Sequence, residues 1–292
     1  MIRRQVNGDF FLDVFVYGCM TFMGVVTLFP FLNVLSKSLS ADWAVVSGKV
    51  SFFPVDFQLE TMKLVVSSNE FLNAFLNSFY ITVAGTLISL AVTAITAYPL
   101  SKKEIKGMKL VLIFFVFTML FNGGLIPNYM LIKELHLINN LWSVILPGVI
   151  NVFNLLIVKS YYESLPESLE ESARIDGASN IGILFKIIIP LSIPVQATIF
   201  LFIAVGYWNE YFSPMLYLTR PDLKPLQVYM LDLVMNAEGS SDMLMRADDM
   251  FNVSPEGVRA ATIIASTVPI ILVYPFLQRY FIKGVLIGSV KG

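Results

Sequence analysis

Residues 110–132 read LVLIFFVFTMLFNGGLIPNYMLI, 23 positions without an Asp, Glu, Lys or Arg. About 20 apolar residues wound as a helix cross the hydrocarbon core of a bilayer. Lipid offers the backbone no hydrogen-bond partner, so a crossing segment has to be helical. The same test finds five more charge-free runs, at 14–35, 71–101, 135–158, 187–209 and 260–278. Together the six hold 142 of the 292 residues. Overall the chain is 56% hydrophobic and 14% charged, against about 25% charged in an ordinary soluble domain. A soluble all-α core would not need six such runs. The expected fold is therefore an all-α membrane protein, one domain over 1–292. Its six transmembrane helices are expected near 14–35, 71–100, 110–132, 138–160, 187–209 and 260–278. The first run is too long for a signal-peptide core and is followed by no small-residue cleavage pattern, so it reads as a retained helix.

Six spans put both termini on one side. That side would hold 12 Lys and Arg in 63 residues, and the other side 8 in 87. Arg3, Arg4, Lys102, Lys103, Lys106 and Lys109 carry most of the bias, which assigns both termini to the cytoplasm. The last outer loop, 213–259, is acidic and rich in proline.

Several function classes are disfavoured. A net charge of -1 gives no basic footprint for nucleic acid. One cysteine (Cys19) and one histidine (His136) allow no internal disulfide and no Cys- or His-built metal site. No mid-membrane acid or His relay is evident, as an ion-coupled secondary transporter would need. No Ser/His or carboxylate cluster suggests a membrane enzyme. There is no G-x-x-x-x-G-K-[ST] phosphate loop, so this chain is expected to bind neither ATP nor another cofactor.

The segment between the fourth and fifth runs, 161–179, reads YYESLPESLEESARIDGAS. Ser164 and Glu167 have capping-box spacing, and Pro166 suits a first helical turn. Glu163, Glu167, Glu170 and Glu171 crowd the end where the helix dipole favours anions. Gly177 then reads as a left-handed stop. A second amphipathic piece over 178–188 is expected to end at Pro190. This describes a capped helix outside the bilayer, either resting on headgroups or docking on a partner.

Glu171-Ser172-Ala173, Asp176-Gly177 and Pro190-Leu191 resemble the signature loop of ATP-binding-cassette importer permeases, in which Glu-Ala-Ala precedes a glycine after three residues. Ser172 replaces the first alanine, and Ile189 precedes the proline where leucine is usual. Asp176-Gly177-Ala178 is similar to the maltose-importer-like carbohydrate branch, of the type I class. The stretches 121–127, Leu141-Trp142, Leu146-Pro147, 208–211 and the tail 278–292 are similar to permeases for polysaccharide-derived oligosaccharides. The resemblance implies a cytoplasmic coupling helix, with Glu170, Glu171, Ser172, Ala173, Asp176 and Gly177 facing an ATPase. It also implies a second homologous permease subunit, an ATPase dimer that binds ATP, and an extracytoplasmic solute-binding protein. The setting is the bacterial inner membrane, and the cargo an oligosaccharide, acidic ones such as alginate fragments included. The competing readings are a permease of the same class for a non-sugar solute and a secondary transporter.

For the solute path, Asn122-Gly123-Gly124 with Pro127 interrupts the third run. Such a break lines a cavity or is a packing kink. Asn122, Tyr129, Trp208 and Asn209 are the candidate path residues, and Tyr98, Tyr207 and Tyr211 are further polar-tipped rings. An aromatic belt at the interface is the plainer account of the rings.

Overall fold

The computed structural model describes residues 6–235 and 254–289, with side-chain surroundings for 12–235 and 254–272. Helix is the only regular structure among these residues. Along the chain come α1 (Val6–Ser38), α2 (Asp42–Val46), α3 (Glu60–Ser67) and α4 (Asn69–Leu100). There follow α5 (Met108–Leu120), α6 (Leu125–Glu134), α7 (Trp142–Ile145) and α8 (Val152–Glu163). Next are α9 (Glu167–Ile175), α10 (Asn180–Ile183), α11 (Ile189–Leu191) and α12 (Ile193–Asn209). Last come α13 (Phe212–Tyr217), α14 (Leu226–Met235) and α15 (Pro255–Ser289).

Three stretches are long and apolar enough to cross a membrane unbroken: Leu12–Ser38, Asn69–Leu100 and Pro255–Leu272. The other three expected spans are bent pairs, so six spans are present when each pair counts as one. The 110–132 run divides into α5 and α6, set 112° apart. The 13 residues of α5 extend about 20 Å, short of a hydrocarbon core of about 30 Å. Gly124 makes the turn at φ +91°, a conformation that favours glycine. The 138–160 span becomes Trp142–Gly148 plus Val152–Glu163, bent by 46° after Pro147-Gly148. Asn151 restarts it by accepting the Asn154 N–H at 3.1 Å.

The 187–209 span begins earlier, and bends 81° between Asn180–Leu191 and Ile193–Asn209. The expected stop at Pro190 is not one. A π turn over Leu184–Ile188 precedes it, and helix resumes through Leu191. Proline lacks an N–H and disturbs the residue before it. The wider π turn carries the chain past Pro190, and the bend falls at Ser192, just ahead of Pro194. Charge-free length also understates the ends of α1 and α15. Charged residues stop lipid contact, not helix, and Ser254 caps α15 by accepting the Gly257 N–H at 3.0 Å.

The chain forms two compact units. One comprises residues 1–71 and 232–268. In it the segment after α1 is tied down by polar groups: Ser36 Oγ donates to Phe52 O at 2.7 Å, and Asn33 Nδ2 to Ser51 O at 3.0 Å. Asp42 accepts the Ser254 N–H at 2.8 Å, and Lys37 pairs with Glu256 at 3.3 Å. Between Leu12 and Leu32 the face of α1 is mostly exposed and apolar.

The other unit comprises 72–231 and 269–292. Its largest core gathers Ala97 and Tyr98 of α4, Leu155 and Val158 of α8, Ala173 of α9 and Ile199 of α12. A second core joins Ile81, Val144, Ile145 and Leu218.

Candidate functional site

The nine-residue helix α9 has backbone determinants at both ends. Its N-cap position is Pro166, in extended conformation at ψ 125°, with no side-chain cap. The expected Ser164–Glu167 capping box is not formed. Ser164 lies two residues too early and is still in the right-handed helical region, and its hydroxyl donates to Tyr161 O at 2.7 Å. At the other end the stop is the one the sequence predicts. Gly177 adopts φ +82°. Its N–H donates to Arg174 O at 3.1 Å, and Ala178 N–H reaches back to Ala173 O at 2.9 Å. This pair of bonds is a Schellman motif, which satisfies carbonyls the helix end would orphan.

Packing sorts the candidate residues into two faces. Ala173 is buried in the core with Ala97 and Tyr98. Glu170 is also buried, with 7% of its surface exposed. Its carboxylate pairs with Lys102, accepts from Tyr98 Oη at 3.4 Å and lies 3.6 Å from Arg174 Nη2. Lys102 Nζ sits 4.8 Å above the Tyr98 ring. A buried carboxylate without such partners would be costly, and removing one partner of a buried pair costs about 3–5 kcal/mol, less where one side chain keeps some solvent as Lys102 does. Glu171, Ser172, Asp176 and Gly177 are exposed on the opposite side. Ile175 joins them, 87% exposed, an apolar side chain left open among carboxylates.

Sequence reasoning missed Ile175, Lys102 and Arg174. By sequence Lys102 is only a topology charge and Tyr98 only a polar-tipped ring; the meeting of α4 with α9 brings both to Glu170. The bend beside α9 is held too, since Tyr161 Oη donates to Leu191 O at 3.1 Å and Gln196 Nε2 to Tyr162 Oη at 2.8 Å.

The path candidates are not drawn into one contact cluster. Asn122 Oδ1 accepts from the Gly124 N–H at 2.9 Å and from Asn128 Nδ2 at 3.2 Å, closing the turn between α5 and α6. Tyr129 stacks on Tyr217, with centroids 6.1 Å apart. Trp208 is buried, edge-on to Phe75 at 6.0 Å, and its indole N–H has no partner among the described residues. A ring so covered does not present the open stacking face expected of it. Asn209 is exposed, and its amide donates to Val205 O at 3.0 Å.

Tyr207 is a rivet. Its hydroxyl donates to Ile145 O at 3.0 Å and accepts from Ser89 Oγ at 3.1 Å. Its ring lies against Gly85 of α4 and its hydroxyl against Gly148 at the bend, where a Cβ would come within 2.7 Å and 3.1 Å of it respectively.

Residues 66–287, more than three quarters of the chain, match the family described as binding-protein-dependent transport system inner membrane component. The chain belongs to this family. As such it is a multi-pass membrane permease. It is similar to the polygalacturonan/rhamnogalacturonan transport system permease protein YtcP of Bacillus subtilis (strain 168), 40% identical over 96% of this chain and 98% of that one. It is also similar to Protein LplC of the same organism, 42% identical over 92% of this chain and 91% of that one. Among solved structures it resembles a chain of a bacterial ABC transporter involved in the import of the acidic polysaccharide alginate. There the TM-score is 0.90 at 32% identity, covering 96% of this permease and 100% of that chain. The family match includes the whole of α4 to α14, and so both the α9 region and the bent pairs.

Proposed function

We propose that this permease is one half of the translocation path of an ATP-driven carbohydrate importer, with α9 as the coupling helix. The observation that carries the coupling role is the outward face of α9: Glu171, Ser172, Ile175 and Asp176 stand exposed on a helix whose other side is anchored in the core. An apolar side chain flanked by the carboxylates of Glu171 and Asp176 suits a groove with a hydrophobic floor and basic rim on an ATPase subunit. ATP is bound and hydrolysed there, and this chain holds no cofactor. A second, homologous permease completes the path, and a solute-binding protein delivers cargo from outside.

The sugar class follows from the relatives, whose names specify polygalacturonan, rhamnogalacturonan and the acidic polysaccharide alginate. An acidic oligosaccharide is the cargo this permease best fits. Asn122, Tyr129, Trp208 and Asn209 are its candidate contacts; Asn122 and Asn209 keep exposed amides, while Trp208 would need Phe75 to move aside. Both termini and the α9 loop face the cytoplasm. The 213–259 loop faces the binding protein, although its residues 236–253 lie outside the described part.

Gly177→Val tests the coupling role. A β-branched residue at φ +82° costs about 1–3 kcal/mol of strain, although a Cβ there meets open space. The variant should assemble with its partners yet lose ATP-dependent uptake of uronic acid oligosaccharides in proteoliposomes. Uptake at the wild-type rate would refute the role of α9, and ATP-dependent uptake of no oligosaccharide by the wild type would refute the cargo.

A further inference from the structure

Glu170 and Glu171 are neighbours in sequence, yet a helix turns about 100° per residue and sends their side chains apart. Glu171 is exposed, and Glu170 is turned into the protein. Each Glu170 oxygen is engaged: Oε1 by Lys102, Oε2 by Tyr98 and Arg174. Lys102 stands just beyond Leu100, the last residue of α4, and its ammonium also rests on the Tyr98 ring. Among the described residues no other ion pair joins α9 to another helix.

We propose that Glu170 and Lys102 are positioning residues that fix the orientation of α9 on the end of α4, leaving Glu171 to face the partner. This deepens the coupling reading given above and rests on it. Ala173 alone would hold α9 by an apolar contact, about which a nine-residue helix can roll. A buried ion pair adds little net stability but has a definite direction, because its two groups stay solvated by each other only in one arrangement. With the pair in place, a displacement of α9 is passed to α4, an uninterrupted helix of 32 residues. α4 in turn contacts Tyr207 through Gly85 and Ser89. Without the pair, α9 can still touch the ATPase, but its motion is spent in rolling.

The test uses the complete importer, both permeases with the ATPase and the binding protein, in proteoliposomes. Lys102→Met should leave the ATPase copurifying at wild-type stoichiometry. Stimulation of ATP hydrolysis by loaded binding protein should fall by roughly 5- to 150-fold, the span of ordinary coupling energies. Lys102→Arg, which keeps the charge, should retain at least about half the stimulation. Glu170→Gln, nearly the same shape, should behave as Lys102→Met does. Stimulation within about twofold of wild type in Lys102→Met would overturn the proposal, as would equal losses in the Met and Arg variants. Loss of assembly in both Lys102→Met and Glu170→Gln would also overturn it, since the pair would then serve folding alone. Cross-linking from Glu171→Cys separates the two levels. If α9 reaches the ATPase and Lys102→Met is silent, this assignment fails and the coupling reading stands; if α9 never reaches it, both fail.

Discussion

At Gly85 a side chain as small as alanine has nowhere to go. The added Cβ would lie 2.7–2.9 Å from three carbons of the Tyr207 ring, and that ring is fixed by the bond from its hydroxyl to Ile145 O. Gly85→Ala should therefore displace the ring and cost about 1–3 kcal/mol, the usual penalty of overpacking. Tyr207→Phe keeps the ring and loses the hydroxyl, for about 0.5–1.5 kcal/mol. Thermal melting in detergent should rank wild type above Tyr207→Phe and Tyr207→Phe above Gly85→Ala. A Gly85→Ala midpoint equal to wild type would mean the rivet is not tight. Nothing in the sequence marks Gly85, because its neighbour is 122 positions away in the chain. Gly177 was legible for the opposite reason: its left-handed turn is a local property of the chain, readable from a glycine at the end of a helical pattern. Glu170 and Glu171 lie between these cases. Their presence at the helix start could be read, but not which one faces inward, since only the approach of Lys102 decides it.

Among the elements, the bent pairs are where reading and structure diverge most. Freedom from charge measures how far a chain can stay in contact with lipid, and says nothing of its direction. Asn122-Gly123-Gly124 gave notice of a break, and the structure makes it a turn of 112° built on the Asn122 carboxamide oxygen. That dependence makes a clear prediction. Asn122→Asp keeps an acceptor for the Gly124 N–H and should preserve the turn, whereas Asn122→Leu removes that acceptor and with it a hydrogen bond worth about 0.5–1.5 kcal/mol net. If the turn lines the path, uptake should fall at least about fivefold in Asn122→Leu and less in Asn122→Asp, at equal expression. Equal uptake by both would show that the turn is packing alone. The 81° bend shows a second limit of the sequence. Pro190 and Pro194 are visible breakers, but whether helix stops or is re-routed through a π turn depends on the packing of Leu184 and Ile188 in the core.

For the whole molecule, apolar length settled the class of fold, and one nine-residue segment outside the apolar runs pointed to its use. The sidedness proposed from Lys and Arg puts α9 on the cytoplasmic side and the loop that carries Asp222 on the other. Arg220 donates two hydrogen bonds to Asp222, at 2.6 Å and 3.1 Å, and so holds its carboxyl below the usual range. These opposed positions permit a direct test, made simple by a chain with one natural cysteine, Cys19. In a Cys19→Ala background, Glu171→Cys, Ile175→Cys and Asp222→Cys would each carry a thiol-reactive photo-cross-linker in the assembled importer. Cross-links to the ATPase from Glu171→Cys and Ile175→Cys, and none from Asp222→Cys, are the predicted result. An ATPase left unlabelled from both α9 positions, or labelled from Asp222→Cys, would contradict the account.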